Sequence, residues 1–150
     1  CGEEADGAIS WLCPRHYLRE QALPAMKAAA ERSGRTMPTL VAHAPVCLHD
    51  NMKEVRESFI RQFPYLMTSP FYPSVFTPAG FPELEKGECS EAMMDSVVLW
   101  GSESRVEEKL EELFSWGVTE IVVSPLFVGE EGGVHLDRIF RLLARVASRI

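Results

Sequence analysis

The sequence alternates short apolar runs with longer segments of helical periodicity, and it does so four times. The apolar runs begin near Ala8, Thr39, Ser96 and Glu120. Short continuous apolar runs are typical of strands that are buried on both faces. Strands that alternate with amphipathic helices pair in parallel through right-handed crossovers. The pattern therefore predicts an α/β fold made of four strand–helix units.

The first unit contains a proline where its helix should run. Pro24 lacks the backbone N–H that a helix interior needs, and its ring clashes with the preceding turn. We therefore predict a short turn at 15–21, followed by a helix from Pro24 to Ser33. Gly34 is the predicted C-terminal cap, because glycine readily adopts the left-handed conformation that ends many helices.

The second unit has an internal proline in its strand. Pro45 lies within the apolar run 39–48 and predicts a bulge or a strand end, since proline cannot donate to a strand ladder. Asn51 and Glu54 have the spacing of a capping box, which places the start of the next helix. That helix carries an apolar stripe at helical spacing.

Two further strand–helix units occupy the end of the chain. Their limits follow from the same cap and glycine signals. The predicted elements are, in order, a strand over 96–100, a helix capped by Ser102 or Ser104 and ended by Gly117, a strand over 120–126, a glycine-rich loop, and a helix over 136–148.

The segment 64–95, between the second helix and the third strand, shows neither helical nor strand periodicity. It contains five prolines and five aromatic residues, and it is longer than an ordinary connection. On a barrel, such an insertion is either a lid or binding loop, or a surface excursion whose aromatic residues bury locally. The sequence leaves both open. We expect short helical turns near 70–76 and 90–95.

Composition and charge narrow the class of partner. Apolar residues make up 46% of the chain and charged residues 25%, as in ordinary globular proteins. A net charge of −7 argues against binding to nucleic acid, and no apolar run approaches the roughly 18 residues of a membrane span. The acidic stretches 83–91 and 103–112 are expected to be solvated faces.

The four cysteines have neither CxxC spacing nor metal-ligand spacing with histidine. We therefore expect free thiols, no metal site and a cytoplasmic protein. The chain begins at Cys1, almost directly with a strand, which suggests a piece of a longer protein. Without a nucleotide-binding glycine fingerprint, two architectures remain: an open doubly wound sheet, or half of a (β/α)₈ barrel.

Several segments together resemble a known family. They are DGAISWLCP at 6–14, YLREQALP at 17–24, the aromatic region 63–83, and the segment 100–110 that begins WGS. In this order they resemble the luciferase-like monooxygenase superfamily, most closely its members that use the deazaflavin coenzyme F420. The resemblance covers the whole chain but only the last four strand–helix units of the family. It implies half of a TIM barrel, a single domain over 1–150, with an insertion over about 64–95 before the third strand.

The resemblance implies a cofactor site in the loop after the first strand. In the family, the matching loop holds the phosphate side of the flavin or deazaflavin, and its residues here are Ser10, Trp11, Leu12 and Cys13. Backbone N–H groups at a helix start independently favour an anion, and Arg15 is expected to add a charge-assisted hydrogen bond. On the residues alone, Trp11 as a core aromatic and Arg15 as a solvated side chain remain the alternative.

Three more residues are candidates for ligand contact. Gly101 and Ser102 form a strand-to-helix turn of the kind at which barrels bind phosphate, and they are expected to contact the cofactor. The alternative for Ser102 is a simple helix cap. His43 is expected to face the barrel mouth and bind substrate, with a satisfied core histidine as the alternative. No residue is predicted to be catalytic, because the cofactor carries the hydride.

The function that the resemblance implies is hydride transfer between coenzyme F420 and a small organic substrate, with an FMN-dependent monooxygenase as the alternative. The family's contacts to the redox ring come largely from its first four strands, so this chain alone is expected to be inactive. We expect it to pair with a missing N-terminal half or with another copy of itself, since its first and last strands have open edges. A stand-alone α/β module that binds a partner without redox chemistry is the alternative outside the family.

Overall fold

Strands and helices alternate along the chain as the sequence predicts. The computed structural model describes residues 1–129 and 132–149. Its strands are β1 (Gly7–Ser10), β2 (Thr39–Cys47), β3 (Leu99–Trp100) and β4 (Glu120–Pro125). Its helices are α1 (Arg15–Tyr17), α2 (Leu23–Arg32), α3 (Met52–Gln62), α4 (Pro73–Phe76), α5 (Glu91–Val97), α6 (Glu103–Trp116) and α7 (Gly132–Ala147), with a π-helical turn (Leu18–Ala22) and two 3₁₀ turns (Pro64–Leu66, Pro82–Lys86). Every strand pair is parallel, which confirms the predicted α/β class.

The central strand of the sheet is β2, which pairs with each of the other three strands. Ala42 pairs with both β1 and β4, and Val46 pairs with both β3 and β4. Since a strand has only two edges, β1 and β3 share the edge of β2 opposite β4. In a (β/α)₈ barrel consecutive strands lie side by side, so the predicted half barrel would place β3 between β2 and β4. The structure differs, because β4 pairs directly with β2.

Pro45 lies inside β2 without interrupting it, so the predicted bulge or strand end is wrong. The carbonyls of Leu40 and Val46 accept hydrogen bonds from Thr119 and Leu126 on the β4 side. Backbone groups alternate in direction along a strand, so those of Pro45 turn to the opposite edge. On that edge β1 has ended and β3 has not begun. The position where Pro45 lacks an N–H therefore faces no strand.

Pro24 is accommodated in a similar way within its helix. The backbone stays helical from α1 through the π-helical turn into α2, where Pro24 is the second residue, so the predicted separate turn is wrong. A π turn bonds each N–H to the fifth preceding carbonyl and widens the helix beside the position that supplies no N–H. Gly34, at φ 66°, ends this helix as predicted, and the Arg35 N–H bonds to the Ala30 carbonyl at 2.9 Å.

The third unit departs most from its predicted form. Helix α5 continues to Val97, so only Leu99 and Trp100 are left in the strand. The Ser90 side chain caps α5, and Met93 and Val97, one helical turn apart, are both buried. A short apolar run is compatible with a buried helix face as well as with a strand. Here the run 96–100 is divided, since Ser96 and Val97 end α5 while Leu99 and Trp100 form β3.

The first hydrophobic core lies between the sheet and three helices on one of its faces. It contains alternate residues of β2 together with Leu23 of α2, Val106 of α6 and Ile139 of α7. In a doubly wound fold, helices cover both faces of the sheet. Helices α2, α6 and α7 instead all pack on this one face, as the outer helices of a barrel do.

A second core joins the insertion to the carboxyl-terminal ends of the strands. Leu66, Phe76 and Leu84 of the insertion are buried there against Phe59 of α3. The ends of the four strands contribute to the same core through Leu12, Cys47, Trp100 and Leu126. The insertion is therefore a packed cover over this end of the sheet, as one of the two interpretations of its sequence expected.

The acidic stretch of α6 is partly paired with α7, rather than wholly solvated. Glu103 forms ion pairs with Arg138 at 3.3 Å and with Arg145 at 2.9 Å. Glu107, further along α6, pairs with Arg149. These side chains are partly exposed, so solvent screens each pair and its contribution to stability is small. Together they hold α7 alongside α6.

Candidate functional site

The sheet face opposite the three helices is uncovered over its first half. Ile9 lies beside Val41 and Val122 lies beside His43, because register partners in a parallel sheet share a face. Ile9 is 70% exposed and Val122 is 43% exposed. Parallel sheets are ordinarily covered on both faces. We call this surface, formed by Ile9, Val41 and Val122 and by the side chains described next, the open face.

A row of three side chains crosses the carboxyl-terminal half of the open face. Trp11, which follows β1, stacks on the ring of His43 in β2, with ring centroids 3.8 Å apart and planes at 6°. His43 Nε2 lies 2.8 Å from Ser124 Oγ in β4. We call Trp11, His43 and Ser124 the cross-strand row. It lies towards the strand ends at which (β/α)₈ enzymes have their active sites.

Hydrogen bonds at His43 determine which ring nitrogen carries the proton. The Leu12 N–H donates to His43 Nδ1 at 3.4 Å, so Nδ1 is an acceptor. Nε2 then carries the proton and donates to Ser124 Oγ. Burial lowers the pKa of His43 from 6.5 to about 4, which leaves the ring neutral at pH 7. His43 is thus a histidine with both nitrogens partnered.

Leu12 turns the chain so that Trp11 lies over His43. Its φ of 49° is in the left-handed region, where no other non-glycine residue of the described chain lies. For an L residue this conformation costs roughly 1–2 kcal/mol. The Leu12 side chain is fully buried in the second core, which holds the turn in place. Strained backbone of this kind concentrates at functional sites.

Two aromatic residues, Phe63 at the end of α3 and Tyr65 at the start of the insertion, contact the cross-strand row. Trp11 Nε1 donates a hydrogen bond to Tyr65 Oη at 2.8 Å. The Phe63 ring meets the His43 ring edge-on, with centroids 5.7 Å apart. Trp11 and Tyr65 nevertheless remain 45% and 41% exposed. They form an accessible aromatic rim beside the row.

The other residues of the predicted cofactor loop have side chains directed elsewhere. Cys13 packs against the first core, and burial raises the pKa of its thiol to about 12. Arg15 Nη1 donates to the Val98 carbonyl at 3.4 Å, and burial lowers the pKa of its guanidinium. Ser10 Oγ donates to the Val41 carbonyl at 3.4 Å. Within this loop, Trp11 and Leu12 are the residues that contact His43.

Gly101 and Ser102 line a different groove, of about 620 Å³, at the starts of α3 and α6. Gly101 has a φ of 115°, and a Cβ there would lie 3.0 Å from Arg105 Cδ, so the turn itself requires glycine. Ser102 Oγ accepts the Arg105 N–H at 3.3 Å and caps α6. Within the described chain, no hydrogen bond or ring contact joins these two residues to the cross-strand row.

Within residues 1–129 and 132–149, no three histidine, cysteine, aspartate or glutamate side chains are grouped so as to hold a metal ion. His49 Nε2 instead meets Glu54 Oε2 at 3.0 Å. The cysteines are free thiols. None of the helices described has the length and apolar character needed to cross a membrane.

Two members of the site are absent from the sequence-based candidates. Ser124 reads as one polar residue within an apolar strand, and only the pairing of β4 with β2 brings it to His43. Tyr65 lies in the aperiodic insertion, where no spacing distinguishes it from the neighbouring aromatic residues. The sequence offered no signal for either contact, because each depends on how distant segments pack together.

Comparison with known proteins gives a family and a fold. The sequence profile of a family described as luciferase-like monooxygenase matches residues 1–120. Among solved structures, an F420-dependent secondary alcohol dehydrogenase in complex with an F420–acetone adduct is similar over 83% of this chain and 38% of its own length, with 12% identity and a TM-score of 0.62. EDTA monooxygenase from Chelativorans sp. BNC1 is similar over 99% and 41%, with 11% identity and a TM-score of 0.62.

A third structure is a type II Baeyer–Villiger monooxygenase from Pseudomonas putida in complex with FMN, at 16% identity. It covers 91% of this chain and 44% of its own, and its TM-score of 0.43 supports no further argument. No curated protein matches the sequence. The chain spans about two fifths of the length of the first two structures, whose likeness shows the fold. Since the family profile matches residues 1–120 of 150, the chain belongs to the luciferase-like monooxygenase family.

Proposed function

We propose that this chain supplies part of the cofactor-binding end of an oxidoreductase that transfers a hydride between coenzyme F420 and a small organic substrate. The observation that carries the proposal is the cross-strand row at the carboxyl-terminal half of a parallel sheet. Ligands in (β/α)₈ enzymes bind at that end of the strands. FMN in place of the deazaflavin is the alternative within the same family.

The residues present suit the flat ring system of such a cofactor. The open face offers apolar side chains, and Trp11 and Tyr65 offer partly exposed aromatic rings on which a conjugated ring can stack. The phosphate end is less well provided for, since Arg15 is directed to the Val98 carbonyl. The groove at Gly101 and Ser102, at the start of the 14-residue helix α6, is the remaining candidate for the phosphate. Arg138 in its lining favours an anion, whereas the carboxylates of Asp50, Glu54 and Glu103 oppose one.

Within this function the protein's own residues bind and orient. The cofactor supplies the hydride chemistry when bound. His43 is neutral at pH 7 and donates to Ser124, so it contributes a fixed dipole rather than a positive charge. Phe63, at the end of α3, and Tyr65 of the insertion hold the rings of His43 and Trp11 in place.

The three tryptophans provide a direct test of where a cofactor binds. Each gives one indole N–H signal in a proton–nitrogen correlation spectrum. On titration with coenzyme F420, and with FMN in parallel, we expect the Trp11 signal to shift, because a ring stacked near it changes its local magnetic field. Trp116 is the internal control, since its ring lies under Arg19 of the π-helical turn, away from the row.

The same titrations distinguish the two cofactors. We expect a lower dissociation constant for coenzyme F420 than for FMN, and the reverse order would favour a flavin-dependent monooxygenase. Equal shifts at Trp11 and Trp116, or no shift at millimolar cofactor, would contradict the proposed site. This method detects millimolar affinities, which matters because the chain spans only two fifths of the relatives' length.

The open face also favours a partner that covers its apolar half. Ile9 and Val122 are exposed, and the outer edges of β1 and β4 have no strand beside them among the described residues. In solutions of this chain alone, a second copy is the occupant that we expect. A two-fold axis parallel to the strands brings β1 of one copy beside β4 of the other in the same direction.

Light scattering coupled to size-exclusion chromatography tests this association. We expect the chain to elute above its monomer mass, and the variant Ile9→Lys to elute as a monomer because a charge on the open face opposes burial. Phe140→Lys is the matched control, since Phe140 is 55% exposed on α7, which packs on the opposite face. A monomeric wild type, or equal effects of both variants, would contradict the association.

A further inference from the structure

We infer that Ser124 is a specificity-determining residue whose hydroxyl donates a hydrogen bond to an acceptor oxygen of the ligand on the open face. The inference rests on the proposed function for the existence of that ligand. Beyond that function, the inference names a further ligand-contacting residue, Ser124, and gives the direction of its hydrogen bond. The group that Ser124 recognises is a carbonyl or ring oxygen.

The direction follows from a hydrogen-bond chain that begins in the backbone. The Leu12 N–H points at His43 Nδ1 at 3.4 Å and can only donate. If Nδ1 also carried a proton, two donors would face each other inside a buried site, which costs free energy. The neutral ring therefore carries its single proton on Nε2, and Nε2 donates to Ser124 Oγ at 2.8 Å.

The hydroxyl of Ser124 then has its proton left for another partner. A serine hydroxyl has one O–H donor and two acceptor lone pairs, and the bond from His43 uses a lone pair. Among the described residues, the hydroxyl of Ser124 forms its hydrogen bond with His43. Ser124 lies next to Pro45 in the register and is only partly buried, so its O–H faces the open side of the sheet.

The consequence is a donor of fixed polarity at the β4 side of the row. An acceptor oxygen of a ligand can accept the hydrogen bond from the Ser124 hydroxyl. An N–H or a protonated group in the same place would bring two donors together and weaken binding. Trp11 lies on the β1 side of His43, and Ser124 lies on the β4 side. A flat ligand placed along the row therefore has an aromatic contact at one end and a hydrogen-bond donor at the other, which fixes its orientation.

The first arm of the test needs no ligand. Two-bond proton–nitrogen correlations of the imidazole distinguish a protonated from an unprotonated ring nitrogen. We expect the neutral form of His43 with the proton on Nε2 in both the wild type and Ser124→Ala, because Leu12 sets the tautomer. A proton on Nδ1 in the wild type at pH 7 would overturn the inference, whatever the chain binds.

The second arm measures binding of coenzyme F420 and FMN by the shift of the Trp11 indole signal. We expect Ser124→Ala to weaken binding about 2- to 10-fold, the usual effect of losing one neutral hydrogen bond, and Ser124→Thr to restore it because threonine keeps the hydroxyl. Ser115→Ala is the matched control, since Ser115 bonds to the Glu112 carbonyl on exposed α6. Unchanged affinity in Ser124→Ala would overturn the inference and leave the proposed function standing, whereas a wild type that binds neither cofactor would overturn both.

Discussion

Replacing Phe76 with alanine is expected to lower the free energy of unfolding by about 3–5 kcal/mol. Phe76 is fully buried in the second core, where it packs with the residues of the insertion and of α3. The truncation removes buried apolar area and leaves a cavity that its neighbours fill only in part. Urea denaturation followed by circular dichroism measures the loss as a shift in midpoint at constant slope.

Phe71→Ala is the matched control, because Phe71 belongs to the same insertion but is 78% exposed. We expect it to change the free energy of unfolding by at most about 0.5 kcal/mol. If both variants had equally small effects, the insertion would be a loose lid and not a packed cover. The comparison therefore tests whether the insertion contributes to stability as its burial in the second core implies.

His43 is expected to make the protein less stable in acid. Its pKa is about 4 in the folded protein and 6.5 when unperturbed, so the unfolded chain binds a proton that the folded chain rejects. The contribution to stability is complete above pH 6.5 and falls as the pH drops towards 4, by about 1.4 kcal/mol per pH unit. The total loss is about 3 kcal/mol. Urea denaturation at intervals between pH 7 and pH 4 measures it.

The variant His43→Gln separates this effect from the titration of carboxylates elsewhere. Glutamine has no titratable group, and its amide N–H₂ can still donate towards Ser124. We expect the wild type to lose about 3 kcal/mol more than His43→Gln over this pH range. Parallel curves for the two proteins would show that His43 titrates normally and would contradict its burial as a neutral ring.

Signals that act between neighbours in the chain predicted the ends of elements well. Asn51 caps α3 as expected: its Oδ1 accepts the N–H of Lys53 at 3.1 Å, and its Nδ2 donates to Glu54 at 2.7 Å. Gly117, at φ 109°, ends α6 where the sequence placed its end. These features depend on a few adjacent residues, so a sequence contains all that is needed to infer them.

Features that depend on distant pairing were not accessible in this way. Whether Pro45 interrupts β2 depends on which edge its missing N–H faces, and that is decided by where β1 and β3 end. The contact of Ser124 with His43 joins residues 81 positions apart. Neither property has a local signal, because each is set by the register between strands.

The sequence placed a loop directly after the first strand, and the structure has one there, but the directions of its side chains were not predictable. Leu12 adopts a left-handed conformation that would ordinarily indicate glycine or asparagine. That single turn sends Trp11 to the open face, while Cys13 joins the first core. Without the left-handed turn at Leu12, Trp11 and Cys13 would not be directed to these two places. Whether the loop contacts a cofactor stays a prediction.

The central position of β2 sets the order in which the sheet can be completed during synthesis. Thr119, which bonds to Leu40 at the start of the β2–β4 pairing, lies 79 residues further along the chain. During translation, β1 and β2 therefore emerge from the ribosome long before β4 is synthesised. In that interval one side of β2 presents backbone groups without partners to every other nascent chain nearby. That edge of β2 gains its partners only when β4 has been synthesised and pairs with it.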